Sequence, residues 1–117
     1  MNEEFINKKL EEFETLRQTY LAFLYQKQKI EEDLIEVENA IKELENLKEE
    51  EIVFKLVGNV LIKKDKNKLL EELKEKKDIL NIRLQSIDKQ ERQLREKLTI
   101  LQNEIEKLLR TSEKTNK

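Results

Sequence analysis

"VFKLVGNVLIKK", residues Val53 to Lys64, contains the chain's one glycine, Gly58, close to its centre. Two short β-rich runs flank Gly58 and Asn59: Ile52, Val53, Phe54, Leu56 and Val57 on one side, Val60, Leu61 and Ile62 on the other. Two such runs separated by two residues predict a β-hairpin. Glycine at the first central position suits a type II′ turn, because it takes positive φ without a Cβ clash. In that turn Val57 opposes Val60, Leu56 opposes Leu61 and Phe54 opposes Lys63.

On both sides of the hairpin the apolar spacing changes from two to alternating threes and fours. The first row runs Ile6, Phe13, Leu16, Tyr20, Phe23, Ile30, Leu34, Val37, Ile41 and Leu44, with Lys27 interrupting it. The second runs Leu70, Leu73, Leu80, Leu84, Ile87, Leu94, Leu98, Leu101, Ile105 and Leu108, with Lys77 and Glu91 in its polar slots. A heptad pattern sustained over this length predicts coiled-coil helices, and the chain has no proline to break them. The expected elements are a helix over 2–49, the hairpin over 52–63, a second helix over 66–110 and a frayed tail over 111–117. Asn2 is the expected N-cap of the first helix, with Glu3 and Glu4 complementing its dipole; Asp65 or Asn67 is expected to cap the second.

A fold-back at Gly58 and Asn59 also makes a demand on the helices, whose rows follow from apolar spacing alone. Pairing residues symmetrically about the turn sets Leu44 against Leu73, Val37 against Leu80, Ile30 against Ile87, Phe23 against Leu94 and Leu16 against Leu101. Shifted by one residue, Leu34 meets Leu84, Tyr20 meets Leu98 and Phe13 meets Ile105. The interrupting Lys27 and Glu91 also meet. The predicted fold is therefore mostly α: a long antiparallel intramolecular coiled coil with a single β-hairpin at the bend. Lys27 and Glu91 are expected to lock the register, since a slip would set charge against leucine; the alternative is that the two charges reach water separately.

Composition narrows the function. Charged residues make up 43% of the chain and hydrophobic ones 37%, which suits a narrow seam better than a thick globular core. With 24 basic and 26 acidic residues interleaved, the field is weak and no basic stripe points to nucleic acid. The short cluster Lys63, Lys64, Lys66 and Lys68 is explained by a solvated hairpin-to-helix junction. No apolar run approaches membrane-spanning length, and no signal-peptide core or cysteine suggests export, so the expected location is the cytoplasm. The absence of histidine and cysteine removes the usual general base, thiol nucleophile and softer metal ligands. Glu49, Glu50 and Glu51 point in different directions if helical and do not form a metal cage. No enzyme activity and no cofactor are expected.

A lone hairpin is marginal in water, and this one carries more apolar side chains than the helices below it can shield. Its edges and faces are those of an assembly module, in which hairpins from several subunits complete a shared sheet or barrel. The expected oligomerisation residues are Val53, Phe54, Leu56, Val57, Gly58, Asn59, Val60, Leu61 and Ile62.

The order long helix, "VFKLVGNVLIKK", long helix resembles the prefoldin family, and specifically its β-type subunits, which carry one hairpin where the α-type carries two. The resemblance spans essentially the whole chain, and its sharpest elements are the hydrophobic-aromatic-Lys-x-x-Gly-Asn segment and the following "DKNKLLEELKEK". Phe54 stands where tyrosine is common in the family. The resemblance implies an ATP-independent chaperone: a hexamer of two α-type and four β-type subunits with a β-barrel body. Its coiled-coil ends would hold unfolded client proteins and deliver them to a group II chaperonin.

All aromatic residues except Phe54 lie in the first 25 positions, at the helix end far from the hairpin. The candidate client-binding tip comprises Phe5, Ile6, Leu10, Phe13, Ile105, Leu108 and Leu109, with Phe13 also on the seam and Phe5, Leu10 and Leu109 off it. The rival reading of the same pattern is a structural coiled-coil spacer or tether that oligomerises through its hairpin.

Overall fold

The computed structural model describes the backbone of residues 2–115 and the side chains of residues 3–112. In chain order it has helix α1 (Asn2–Asn46), strands β1 (Val53–Val57) and β2 (Val60–Lys64), and helix α2 (Lys66–Thr115). The chain divides into two compact units. One is residues 28–85, and the other joins residues up to 27 with those from 86 onward.

The first of these units contains the turn. β1 and β2 pair antiparallel in the register Val57↔Val60, Leu56↔Leu61, Lys55↔Ile62, Phe54↔Lys63 and Val53↔Lys64, as the turn chemistry predicts. Gly58 has φ +60°, and Asn59 does not share the positive φ, which fits type II′ and excludes type I′. Below the hairpin, Leu34, Val37 and Ile41 of α1 enclose Leu80 of α2, with Ile30, Leu70, Leu73 and Leu84 packed around them. α1 positions rise as their α2 neighbours fall, so within this unit the helices are antiparallel.

A second cluster ties hairpin to helices: Val53, Leu44 and Leu69 are buried together, with Leu47 and Leu73 against them. Leu69 lies one residue off the heptad row, and its burial comes from the hairpin folding onto it. α1 ends at Asn46 rather than at 49. No basic residue occupies its last turn, and the glutamates that follow oppose the negative end of its dipole. Lys66 supplies the missing cation from outside, its Nζ donating to the Leu47 carbonyl at 2.6 Å. At the start of α2 the Lys68 amide donates to the Asp65 carboxylate at 3.2 Å, which makes Asp65 the N-cap. The proposed Asn2 cap lies outside the described side chains.

In the other unit, α1 and α2 are again antiparallel, as the cross-helix pairs Lys9 to Glu104, Tyr20 to Glu91 and Lys27 to Asp88 require. Every predicted seam position in either unit is buried or half-buried. The expected tail at 111 is corrected, because α2 continues as helix to Thr115. Thr111 contributes a side-chain bond to the Lys107 carbonyl at 2.9 Å within that extension.

A Cβ placed on Gly58 would meet nothing within 4 Å, so replacing this glycine costs backbone conformation alone. Gly58→Ala is expected to destabilise the hairpin by about 1–2 kcal/mol. Amide exchange should speed up across Val53–Lys64 while the helical amides of Leu80 and Leu101 stay protected.

Candidate assembly hairpin, polar layer and helix-terminal site

Directly opposed residues of an antiparallel pair share a face. One face of the hairpin therefore carries Val53, Lys55, Val57, Val60, Ile62 and Lys64. This face turns toward the helices: Val53 joins their core, and Lys55 and Lys64 reach the Glu72 carboxylate of α2 at 3.4 and 3.7 Å. Glu72 thus holds a lysine from each strand. The other face presents Phe54, Leu56 and Leu61 beside Lys63, and Leu56 and Leu61 are 66% and 65% exposed. Val57, Val60 and Ile62, nearer the turn, are exposed as well.

The predicted oligomerisation set is therefore divided. Phe54, Leu56, Val57, Val60, Leu61 and Ile62 are open to solvent, whereas Val53 is a corrected assignment because it is buried within its own chain. Ile52, outside the predicted set, is exposed beside it. Each strand of this two-stranded sheet also keeps one unpaired edge.

Farther along the helices the seam turns polar. Glu91 is 3% exposed, the one buried charged residue among those described. Its Oε1 accepts the Tyr20 hydroxyl at 3.1 Å, and Arg95 Nη1 lies 3.8 Å away. Lys27 Nζ reaches Asp88 Oδ1 at 2.8 Å, and Asp88 also faces Arg92 at 3.5 Å. The register pair expected between Lys27 and Glu91 is thus part of a wider layer, in which Tyr20 takes the buried carboxylate and Asp88 takes the lysine. The hydrogen bond from Lys27 lowers the Asp88 pKa below the usual aspartate range. Burial, then the bond to Glu91, raises that of Tyr20.

At the helix ends the predicted client-binding residues also separate. Phe5, Leu10 and Leu109 are exposed, and Lys9 Nζ stands 5.5 Å from the Phe5 ring centroid, a cation–π contact. Phe13 and Leu108 are half-buried. Ile6 and Ile105 are buried, so in this structure they are packing residues and offer no surface, which corrects their place in the tip set. Heptad spacing missed the exposed Leu21, Tyr25, Ile35, Ile79, Ile82 and Ile100, which occupy outward positions. Their signal in the sequence is an apolar residue off both seam rows.

A long helix, one hairpin and a second long helix, joined in this register, can be compared with known proteins. The family profile described as a prefoldin subunit matches residues 7–112. The chain belongs to the prefoldin family. Prefoldins are chaperones, and the similar relatives are beta subunits. Prefoldin subunit beta of Thermococcus onnurineus is 40% identical over 101 residues, 86% of this chain and 87% of the relative. That of Pyrococcus furiosus is 37% identical, over 86% of each. The crystal structure of the prefoldin beta subunit from Thermococcus strain KS-1 superposes with a TM-score of 0.80 at 36% identity, covering 90% of this chain and 92% of that one. The single hairpin agrees with the β-type of prefoldin. No helix among the described residues is long and apolar enough to cross a membrane.

Tyr20→Phe removes the hydroxyl donor and leaves the buried Glu91 carboxylate short of a partner. The expected loss is on the order of 1.5–3 kcal/mol. A double-mutant cycle with Glu91→Gln, followed by thermal or denaturant unfolding, should show coupling between the two positions. Additive losses would mean that the bond contributes nothing to stability.

Proposed function

We propose that this chain is an ATP-independent holdase subunit. Its hairpins pair with those of other subunits to build a β-barrel body, in a hexamer of two α-type and four β-type chains. The ends of its helices hold unfolded proteins, prevent their aggregation and pass them to a group II chaperonin in the cytoplasm. The reading needs no cofactor and no catalytic group. Lys27, Glu91 and their neighbours in the polar layer serve it by holding the register of the helices.

The observation that carries the proposal is the outward hairpin face of Phe54, Leu56 and Leu61, apolar and exposed although the same hairpin is anchored through Val53 and Glu72. A hairpin docked on one face and bare on the other has its second face available to another subunit. Support for the client site is the exposure of Phe5, Leu10 and Leu109 at the helix ends, among charges of both signs. Contacts of this size are individually weak, and several subunits acting on one client supply the avidity.

Native mass spectrometry of the chain mixed with an α-type subunit tests assembly, and a mixed hexamer is expected. Leu56→Lys should leave the helices folded by circular dichroism yet abolish the mixed complex. Joint replacement of Phe5, Leu10 and Leu109 by serine should do the reverse, preserving the hexamer while light scattering shows lost suppression of aggregation. A homodimer or homotrimer without holdase activity would instead identify a coiled-coil spacer.

A further inference from the structure

Within the unit of residues 28–85, the inward face of the hairpin meets α2 at two points. Leu69 and Glu72 stand three residues apart, so they share one flank of α2, and neither belongs to the heptad row. Leu69 is buried with Val53 and Leu44, which fixes the base of β1. One turn farther along, the Glu72 carboxylate takes a lysine from each strand: Oε2 lies 3.4 Å from Lys55 Nζ and Oε1 lies 3.7 Å from Lys64 Nζ. Toward the turn, Val57, Val60 and Ile62 of the same face are exposed, so the hairpin is carried by these two points near its base.

Lys55 opposes Ile62, and Lys64 lies two residues beyond it, so the two lysines are diagonal neighbours on one face, about 7–8 Å apart along the sheet. Like charges at that distance repel, and one carboxylate shared between them reverses the balance. Each strand is thereby tied to the same point of α2. Without Glu72 the hairpin keeps the Val53 contact, a pivot at one end of one strand, while Lys55 and Lys64 repel each other.

We propose that Glu72 is a positioning residue for assembly: it fixes the angle of the hairpin on α2, so that Phe54, Leu56 and Leu61 face outward ready to pair with another subunit. The proposal rests on the assembly reading above and adds to it the residue that orients the pairing face. A face held rigid loses less conformational freedom on pairing than one that swings, so its affinity is higher. Half-exposed ion pairs contribute little to the stability of a fold. The effect of these two therefore falls on the orientation of the hairpin and leaves the helices unchanged. Water reaches both pairs, so salt screens them, and assembly inherits that salt dependence.

The test uses the full chain, titrated against a fluorescently labelled α-type subunit by anisotropy at low and high salt. Glu72→Gln is expected to weaken the mixed complex about fivefold at low salt and to flatten its salt dependence. In the chain alone, amide relaxation by NMR should show added motion at Leu56 and Leu61 and none at Leu80, with thermal unfolding of the helices unmoved. Exchanging the charges, by Glu72→Lys with Lys55→Glu and Lys64→Glu, should restore both affinity and rigidity. Glu45→Gln removes another exposed ion pair of the same unit, that with Lys74 at 3.6 Å, and should leave assembly unchanged. Unaltered affinity in Glu72→Gln, an equal loss in Glu45→Gln, or no recovery on charge exchange would overturn the proposal. A wild-type chain that forms no mixed complex would refute the assembly reading and the role built on it. A wild-type complex that Glu72→Gln leaves unweakened would refute the role of Glu72 alone.

Discussion

The positive φ at Gly58 determines which residues of the two helices can meet. In a hairpin with a two-residue loop, moving the turn by one position exchanges the two faces of every strand. Val53 would then leave the core it shares with Leu44 and Leu69, and Lys55 and Lys64 would turn away from Glu72. The hairpin's placement also fixes where each helix starts and stops. Asp65 caps α2 one residue after β2 ends, and Lys66 spans back to the Leu47 carbonyl, just past the end of α1. A single backbone angle therefore reaches the heptad rows through a short series of ordinary contacts.

The polar layer at Tyr20, Lys27, Asp88 and Glu91 works against the same background. Burying a carboxylate is costly unless its charge is hydrogen-bonded, and leucine at position 91 would pack with less penalty. Tyr20 meets that demand with a donor whose ring still fills the seam, and Arg95 adds a nearby positive charge. A displaced register would set Glu91 against an aliphatic neighbour. The layer thus contributes specificity more than stability.

Much of this architecture was legible in the sequence, for reasons that differ by element. A helix pair demands apolar residues at every third or fourth position, so the seam from Ile6 to Leu44 could be read directly. Gly58 and Asn59 indexed the strand register because the turn admits few other residues. Less legible was anything decided by contacts between elements. Leu69 is off the heptad row and is buried in the cluster it forms with Val53 of the hairpin and Leu44 of α1. Heptads put Lys27 and Glu91 in one layer, but they do not say that a flexible lysine takes Asp88 while a tyrosine takes the glutamate. At the helix ends, periodicity put Ile6 on the seam and Phe5 off it, in line with their burial and exposure, but it did not set the end of α2, which runs on to Thr115. Outward residues such as Ile100 carry no periodic signal, and their exposure appears only in three dimensions.

The turn at Gly58 also sets an order of events in folding. Val57 and Val60 are separated by two residues, whereas Tyr20 and Glu91 lie 71 positions apart in sequence. The entropy of closing a loop grows with its length, and each contact formed shortens the loop that remains for the next. The hairpin and the Val53 cluster are therefore the natural nucleus, and the helices zip together outward from it. The ends that carry Phe5 and Leu109 close last and open first. Their late closure is thus inherited from topology, whatever side chains they bear.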